Sequence, residues 1–87
     1  MNKTDKPILN QNFIIKKQND NQWFLADCVN GDVYKINFTA YLIITQINSN
    51  HSIMEIVDNV LYKYNELNKE DILSLFEYLY KNNIIHN

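Results

Sequence analysis

Apolar residues alternate with polar ones in the first half of the chain and recur every three to four positions in the second half. Alternation is typical of half-buried strands, and the longer period is typical of amphipathic helices. Three strands are predicted from short runs rich in aromatic and β-branched residues: Phe13–Lys17, Trp23–Cys28 and Asp32–Ile36. Residues 1–12 are polar and contain the only proline, so a flexible N-terminal arm is expected before a single domain over residues 13–87.

Asn30 and Gly31 lie between the second and third predicted strands and indicate a two-residue type I′ turn, which needs positive φ at both positions. This turn would place Leu25 near Ile36, whereas a four-residue loop would shift the pairing by two residues. Either register keeps the same side chains on each face of the sheet. One face carries Trp23, Leu25, Tyr34 and Ile36, and the other carries Phe24, Ala26, Cys28 and Val33.

Three helices are predicted after the sheet, each with a capping residue before an apolar stripe. Asn37 caps the first helix, and Ser52 with Glu55 has the form of a capping box for the second. Asn68 caps the third. The stripes are Ala40, Ile43, Ile44, Ile47; then Ile53, Ile56, Val57, Val60, Tyr64; then Ile72, Leu75, Phe76, Leu79. Ile84 and Ile85 are expected to fold back onto the core, which gives an α+β chain of order βββααα.

Composition and charge disfavour several function classes. Eighty-seven residues make one small domain with little room for a deep catalytic cavity. The net charge is −2 and all eight basic residues are lysine, which disfavours nucleic acid as a partner. The single Cys28 cannot form an internal disulfide, and no apolar run is long enough to cross a bilayer. A cytoplasmic protein without a membrane partner is therefore expected.

Residues suited to catalysis or metal binding are few. Cys28, His51 and His86 lack metal-ligand spacing, and a single glycine leaves no phosphate-binding loop. Ser52 lies near His51 and Asp58, as in a hydrolytic triad, but its place in a capping box explains it better. Asp27 is expected to accept a hydrogen bond from Tyr34 as a structural pair. We therefore expect no catalytic residue, no metal, no cofactor and no enzymatic activity.

The third predicted strand ends the sheet and leaves one edge unpaired, protected only by Lys35. An extended peptide could add to such an edge through main-chain hydrogen bonds, with neighbouring pockets selecting its side chains. Leu73 and Tyr80, seven residues apart on one side of the third helix, could form the other wall, although both also suit a wider core stripe. The apolar second face of the sheet is either ordinary surface or a docking patch for a larger protein.

The segment Trp23–Ala40, with Gly31, Tyr34, Ile36-Asn37 and Ala40 at these spacings, resembles the PqqD-like family. These proteins are the recognition elements for precursor peptides in pathways of ribosomally made, post-translationally modified peptides (RiPPs). The resemblance continues through Ser52–Val57, Asp71–Leu79 and Ile84-Ile85. Ile36 stands where leucine is usual, and the chain has no arginine. The resemblance implies a winged-helix-like βββααα domain that binds the leader of a precursor as a strand added to the third strand, against the third helix.

Carried onto this sequence, the resemblance implies peptide contacts from Val33, Tyr34, Lys35 and Ile36 on the strand and from Leu73, Phe76 and Tyr80 on the helix. Lys35 and Lys69 are candidates to meet acidic leader residues. The implied role is a non-catalytic protein of natural-product biosynthesis that recruits the precursor to a radical SAM enzyme, a cyclase or a leader peptidase. A possible homodimer is a further partner of this leader-binding protein. A small winged-helix DNA-binding protein and a structural dimerisation module are the alternative functions.

Overall fold

Two antiparallel sheets and three helices make up the computed structural model, which describes residues Met1–Asn87. In chain order the elements are β1 (Ile8–Leu9), β2 (Phe13–Asn19), β3 (Gln22–Asp27), β4 (Val33–Ile36), α1 (Phe38–Gln46), α2 (Ile53–Lys63), α3 (Lys69–Lys81) and β5 (Ile85–His86). Strands β2, β3 and β4 form a three-stranded sheet in that order, and they are the three predicted strands. The predicted α+β class, a three-stranded antiparallel sheet followed by three helices, is confirmed.

Each helix begins at its predicted cap. Asn37 Oδ1 accepts a hydrogen bond from the Ala40 amide at 2.8 Å, and Asn68 Oδ1 accepts one from the Glu70 amide at 2.7 Å. Ser52 and Glu55 form the reciprocal capping box, at 2.9 and 3.2 Å. These bonds satisfy amides that have no partner within the helix and so fix where each helix starts. None of the three helices is long and apolar enough to span a membrane.

The core lies between the three helices and one face of the three-stranded sheet. Its thirteen residues are Leu25, Ile43, Ile44, Ile47, Ile53, Ile56, Val57, Val60, Ile72, Phe76, Leu79, Ile84 and Ile85. The sheet meets α1 through aromatic rings as well, since Trp23 lies 5.3 Å from Phe38 and 5.7 Å from Tyr41 between ring centroids. Two predicted stripe residues, Tyr64 and Leu75, are only half-buried.

The hydrogen bond from the Asp27 amide to the Asp32 carbonyl encloses a loop of four residues, 28–31, between β3 and β4, so the predicted two-residue type I′ turn is wrong. Strands β3 and β4 pair Leu25 with Tyr34 and Trp23 with Ile36, two residues away from the pairing that the short turn would give. Of the two turn residues, only Gly31 has positive φ, at 76°. The predicted faces of the sheet are nevertheless correct, because a shift of two residues preserves them.

Asp27 organises this loop and does not bond to Tyr34, which corrects the expected pair. Asp27 Oδ1 accepts hydrogen bonds from the amides of Val29 at 3.0 Å and Asn30 at 3.1 Å, and Oδ2 accepts one from Asn30 Nδ2 at 2.9 Å. The Tyr34 hydroxyl instead lies 3.5 Å from Asp32 Oδ2. The wider loop exists because the Asp27 side chain closes it.

The residues predicted as an N-terminal arm contain a strand that the sequence pattern did not indicate. Strand β1 pairs with β5, with Ile8 opposite His86 and Leu9 opposite Ile85. Pro7 beside it is buried. The Asp5 carbonyl accepts a hydrogen bond from the Ile53 amide at 2.9 Å, which supplements the cap of α2. The two chain ends therefore meet in a small sheet that is separate from the three-stranded one.

Candidate functional site

Strand β4 has a free edge, because the three-stranded sheet ends there. The Asp27 amide donates to the Asp32 carbonyl at 2.8 Å, which makes this pair one of the hydrogen-bonded pairs of the β3–β4 ladder. Such pairs alternate with non-hydrogen-bonded ones in antiparallel sheets. The main-chain groups of Tyr34 and Ile36 therefore point towards β3, and those of Val33 and Lys35 point away from the sheet.

A cleft of about 420 Å³ lies between the free edge of β4 and helix α3. Ten of its fourteen lining residues are hydrophobic, so it suits an apolar ligand segment. Strand β4 contributes Tyr34, Lys35 and Ile36, and the α3 side contributes Leu75, Tyr78, Leu79 and Asn82. The rest of the lining is Phe13, Leu25, Asp27, Asn30, Ala40, Ile44 and Ile84. We call this feature the β4–α3 cleft.

The strand-side residues predicted for peptide contact lie at the cleft, with one exception. Tyr34, Lys35 and Ile36 line it, whereas Val33 is not part of the lining and is 65% exposed. The side chains of Tyr34 and Ile36 project towards the cleft, on the face of the sheet that packs against the helices, which we call the inner face. Those of Val33 and Lys35 project to the opposite face, since neighbouring side chains in a strand alternate. Lys35 thus borders the cleft with its main chain.

The three helix-side residues predicted for peptide contact do not line the cleft, and their contact with a peptide stays a prediction. Phe76 is fully buried in the core, and Leu73 packs against the core. The Tyr80 hydroxyl donates to Asn87 Oδ1 at 2.7 Å. The physical reason is the helical period, because positions 73, 76 and 80 form a stripe that is turned away from the cleft-lining stripe.

The α3 wall of the cleft is a stripe that the sequence analysis missed. Leu75, Tyr78, Leu79 and Asn82 stand at i, i+3, i+4 and i+7, the spacing of one helix face. Leu75 and Leu79 belong to the predicted core stripe of the third helix, whereas no contact with a ligand is predicted for Tyr78 or Asn82. A signal was present in the sequence, because Tyr78 and Asn82 extend the leucine pair by a further turn of the same face.

At one end of the cleft, neighbouring carboxylates shift the pKa of Tyr34, and hydrogen bonds shift the pKa of Asp27. The Asp32 carboxylate raises the pKa of Tyr34, and burial and Asp27 act in the same direction. The phenol therefore stays protonated at neutral pH and can donate a hydrogen bond. The Asn30 amide is the main cause that lowers the pKa of Asp27, which keeps this carboxylate charged. The cleft thus combines apolar walls with a polar end at Asp27, Asn30 and Asn82.

A solved structure described as "Lasso peptide synthetase B1 complexed with the leader peptide" has a similar fold. The TM-score is 0.74, the sequence identity is 23%, and the match covers 95% of this chain and 100% of that chain. The chain has this fold. No family model matches the sequence, and no curated protein matches it.

A second, more polar depression of about 430 Å³ continues along α3 from the β4–α3 cleft. The two share Leu75, and the depression includes both Asn37 at the end of β4 and Asn68 at the start of α3. In the β4–α3 cleft, by contrast, Tyr34 near the start of β4 and Tyr78 near the C-terminal end of α3 line the same cavity. Strand β4 and helix α3 therefore run in opposite directions along the cleft and the adjoining depression.

The residues considered for catalysis do not converge. Ser52 accepts the amide of Glu55 as part of the capping box, and His51 Nδ1 lies 3.7 Å from a Glu55 carboxylate oxygen. Cys28 is exposed in the β3–β4 loop. No group of three or more His, Cys, Asp or Glu side chains is arranged to hold a metal ion.

Proposed function

We propose that this protein is a non-catalytic leader-peptide-binding protein, a RiPP recognition element of the PqqD-like type. It recruits a ribosomally synthesised precursor peptide to its modifying enzyme or leader peptidase. The main support is the free edge of β4 beside an apolar cleft. Further support comes from the shared fold of a lasso peptide synthetase B1 that was solved with a leader peptide.

The leader would add to β4 as an antiparallel strand. Val33 and Lys35 offer two N–H and two C=O groups, and each hydrogen bond contributes about 0.5–1.5 kcal/mol net. Four such bonds supply about 2–6 kcal/mol, whereas micromolar affinity requires about 8 kcal/mol. Apolar leader side chains in the cleft would have to supply the remainder, against Ile36, Leu75 and Tyr78.

The direction of the bound leader follows from the opposed directions of β4 and α3. A peptide antiparallel to β4 runs parallel to α3, from Asn68 towards Asn82. Leader residues opposite Tyr34 and Ile36 would enter the cleft, and their neighbours would face the other side of the sheet. The rest of the precursor would leave beside the β3–β4 loop. Tethering it there raises its local concentration at an enzyme bound to the same domain.

Titration of the ¹⁵N-labelled protein with the leader of a precursor encoded beside its gene tests this role. We expect amide shifts at Val33, Lys35 and Tyr78, and none with a scrambled peptide of the same composition. Shifts confined to α2, or none at all, would rule out the proposed site.

The free edge of β4 would also allow two copies of the protein to pair through their β4 strands. Sedimentation of the protein without peptide separates this possibility from leader binding. A monomer leaves the edge free for the leader. A tight dimer that the leader cannot dissociate would favour a structural dimerisation module instead.

A further inference from the structure

The three-stranded sheet has a second face, opposite the helices, which we call the outer sheet face. Two cross-strand rows form it: Ile14, Ala26 and Val33 in one, and Lys16, Phe24 and Lys35 in the other. Partners directly opposite each other in antiparallel strands project to the same side, so the six side chains are neighbours.

The outer sheet face is uncovered. None of its six residues belongs to the buried core or packs against it. Ile14 is 41% exposed and Val33 is 65% exposed, and they lie in the same row on either side of Ala26. Isolated exposed apolar residues are ordinary, but a contiguous patch with charged flanks is typical of an interaction surface.

The charges on this face are all positive. Lys16 and Lys35 flank Phe24, and no aspartate or glutamate is among the six residues, although the whole chain carries ten acidic and eight basic residues. Neither lysine takes part in a salt bridge, whereas Lys17 on the inner side lies 3.7 Å from Asp20. A second copy of the same face would bring like charges together. A surface with an apolar centre and carboxylates at its rim is complementary to it.

We propose that the outer sheet face docks the enzyme that acts on the bound precursor, through an apolar patch with acidic neighbours on that enzyme. This inference rests on the proposed function, because it assigns a partner to the peptide-loaded domain. In a leader strand added to β4, every second leader side chain would project to the outer sheet face. These side chains would lie beside Val33 and Lys35 and enlarge that face. An enzyme seated there is next to the leader and leaves the β4–α3 cleft, on the other face, unobstructed.

Charge reversal on β2 tests the docking surface with a matched control. Lys16→Glu reverses a charge on the outer sheet face, on β2, which is two strands away from the leader-binding edge of β4. Lys17→Glu is the control, because it reverses a charge at the next residue, whose side chain projects to the inner face. Each enzyme encoded beside the gene is purified, and its affinity for the leader-loaded protein is measured by biolayer interferometry. We expect Lys16→Glu to weaken that affinity about tenfold or more and Lys17→Glu to change it by less than about twofold.

Ile14→Thr provides a second variant that keeps a β-branched residue while removing apolar contact, and we expect it to weaken enzyme binding about threefold or more. Leader affinity, measured separately without enzyme, should be unchanged in all three variants. If the leader binds normally and neither Lys16→Glu nor Ile14→Thr weakens enzyme binding, the docking inference is overturned and the proposed function stands. It is also overturned if no such enzyme binds, or if Lys16→Glu instead dissociates a homodimer. Absence of leader binding to the unsubstituted protein overturns both.

Discussion

Replacing Lys35 by proline would remove one N–H group from the free edge of β4 while sparing the β3–β4 ladder. Hydrogen-bonded and non-hydrogen-bonded pairs alternate along β3 and β4, and Asp27–Asp32 is a hydrogen-bonded pair. Lys35 therefore belongs to a non-hydrogen-bonded pair, and its N–H points away from β3. Proline is tolerated on an edge strand when the lost N–H faces solvent, and it favours extended backbone in the residue before it, as Tyr34 already has. The variant should therefore fold, and its defect should appear in leader binding.

The expected loss follows from the unpaired acceptor that the substitution leaves behind. A leader carbonyl that is held at the edge without its donor costs about 1–3 kcal/mol. This corresponds to affinity about 5- to 150-fold weaker. Lys35→Ala keeps the N–H and removes only an exposed ammonium group, so its loss should stay below about 1 kcal/mol even if the leader places a carboxylate there.

Isothermal titration calorimetry with the leader peptide measures both affinities, and circular dichroism with thermal unfolding shows that each variant is folded. Tyr34→Pro is the control at the neighbouring residue. The Tyr34 N–H points towards β3, so its loss should remove a hydrogen bond of the sheet and destabilise the fold itself. A folded Lys35→Pro variant that binds the leader as tightly as Lys35→Ala would refute main-chain pairing at this edge. So would a Tyr34→Pro variant as stable as Lys35→Pro.

Three further predictions address the cleft, the core and the loop. Tyr78→Ala should weaken leader affinity by more than about 1 kcal/mol in calorimetry, whereas Tyr62→Ala, at a tyrosine that is 93% exposed outside the cleft, should leave it unchanged; equal effects would contradict the cleft assignment. Phe76→Ala should lower the free energy of unfolding by about 3–5 kcal/mol in urea denaturation, and a loss below about 1 kcal/mol would contradict its place in the core. The pKa of Asp27 is lower in the folded protein than its ordinary value, so its contribution to stability is present at neutral pH and is lost on acidification. Between about pH 5 and pH 2 the unfolding free energy should therefore fall more steeply for the unsubstituted protein than for Asp27→Asn, and equal slopes would argue against this role.

The helices could be predicted from the sequence because their signals are local. A capping side chain bonds to an amide two or three residues away, and the apolar stripe follows from the 3.6-residue period. Asn37, Ser52 and Asn68 each begin a helix in the structure as they do in the prediction. Neither signal depends on how distant parts of the chain meet.

The length of the β3–β4 loop is harder to predict from the sequence, because two local signals compete there. Asn30-Gly31 favours a two-residue turn, but the Asp27 carboxylate can bond to the amides of Val29 and Asn30 and close a wider loop. The wider loop occurs in the structure. The faces of the sheet were predictable despite this, since both loops leave Leu25 on the inner side.

The α3 wall of the cleft and the small β1–β5 sheet depend on long-range packing. A helical stripe in the sequence does not say which neighbour it faces, so Phe76 is predicted both as a core residue and as a peptide contact. In the structure it is buried in the core. Strands β1 and β5 have two residues each, too few for a pattern of alternation. Their pairing joins residues near opposite ends of the chain, which no local signal encodes.

The central claim is that a leader peptide completes the sheet at the free edge of β4. Its most direct test is the set of inter-strand Hα–Hα nuclear Overhauser effects between the ¹³C-labelled protein and the unlabelled leader. In an antiparallel addition the Hα atoms of Tyr34 and Ile36 point at the leader, because their N–H groups are bonded to β3. We predict cross-peaks from these two residues to leader residues two positions apart, running in the opposite direction. Leader contacts to the side chains of α3 without any Hα–Hα cross-peak to β4 would contradict strand addition.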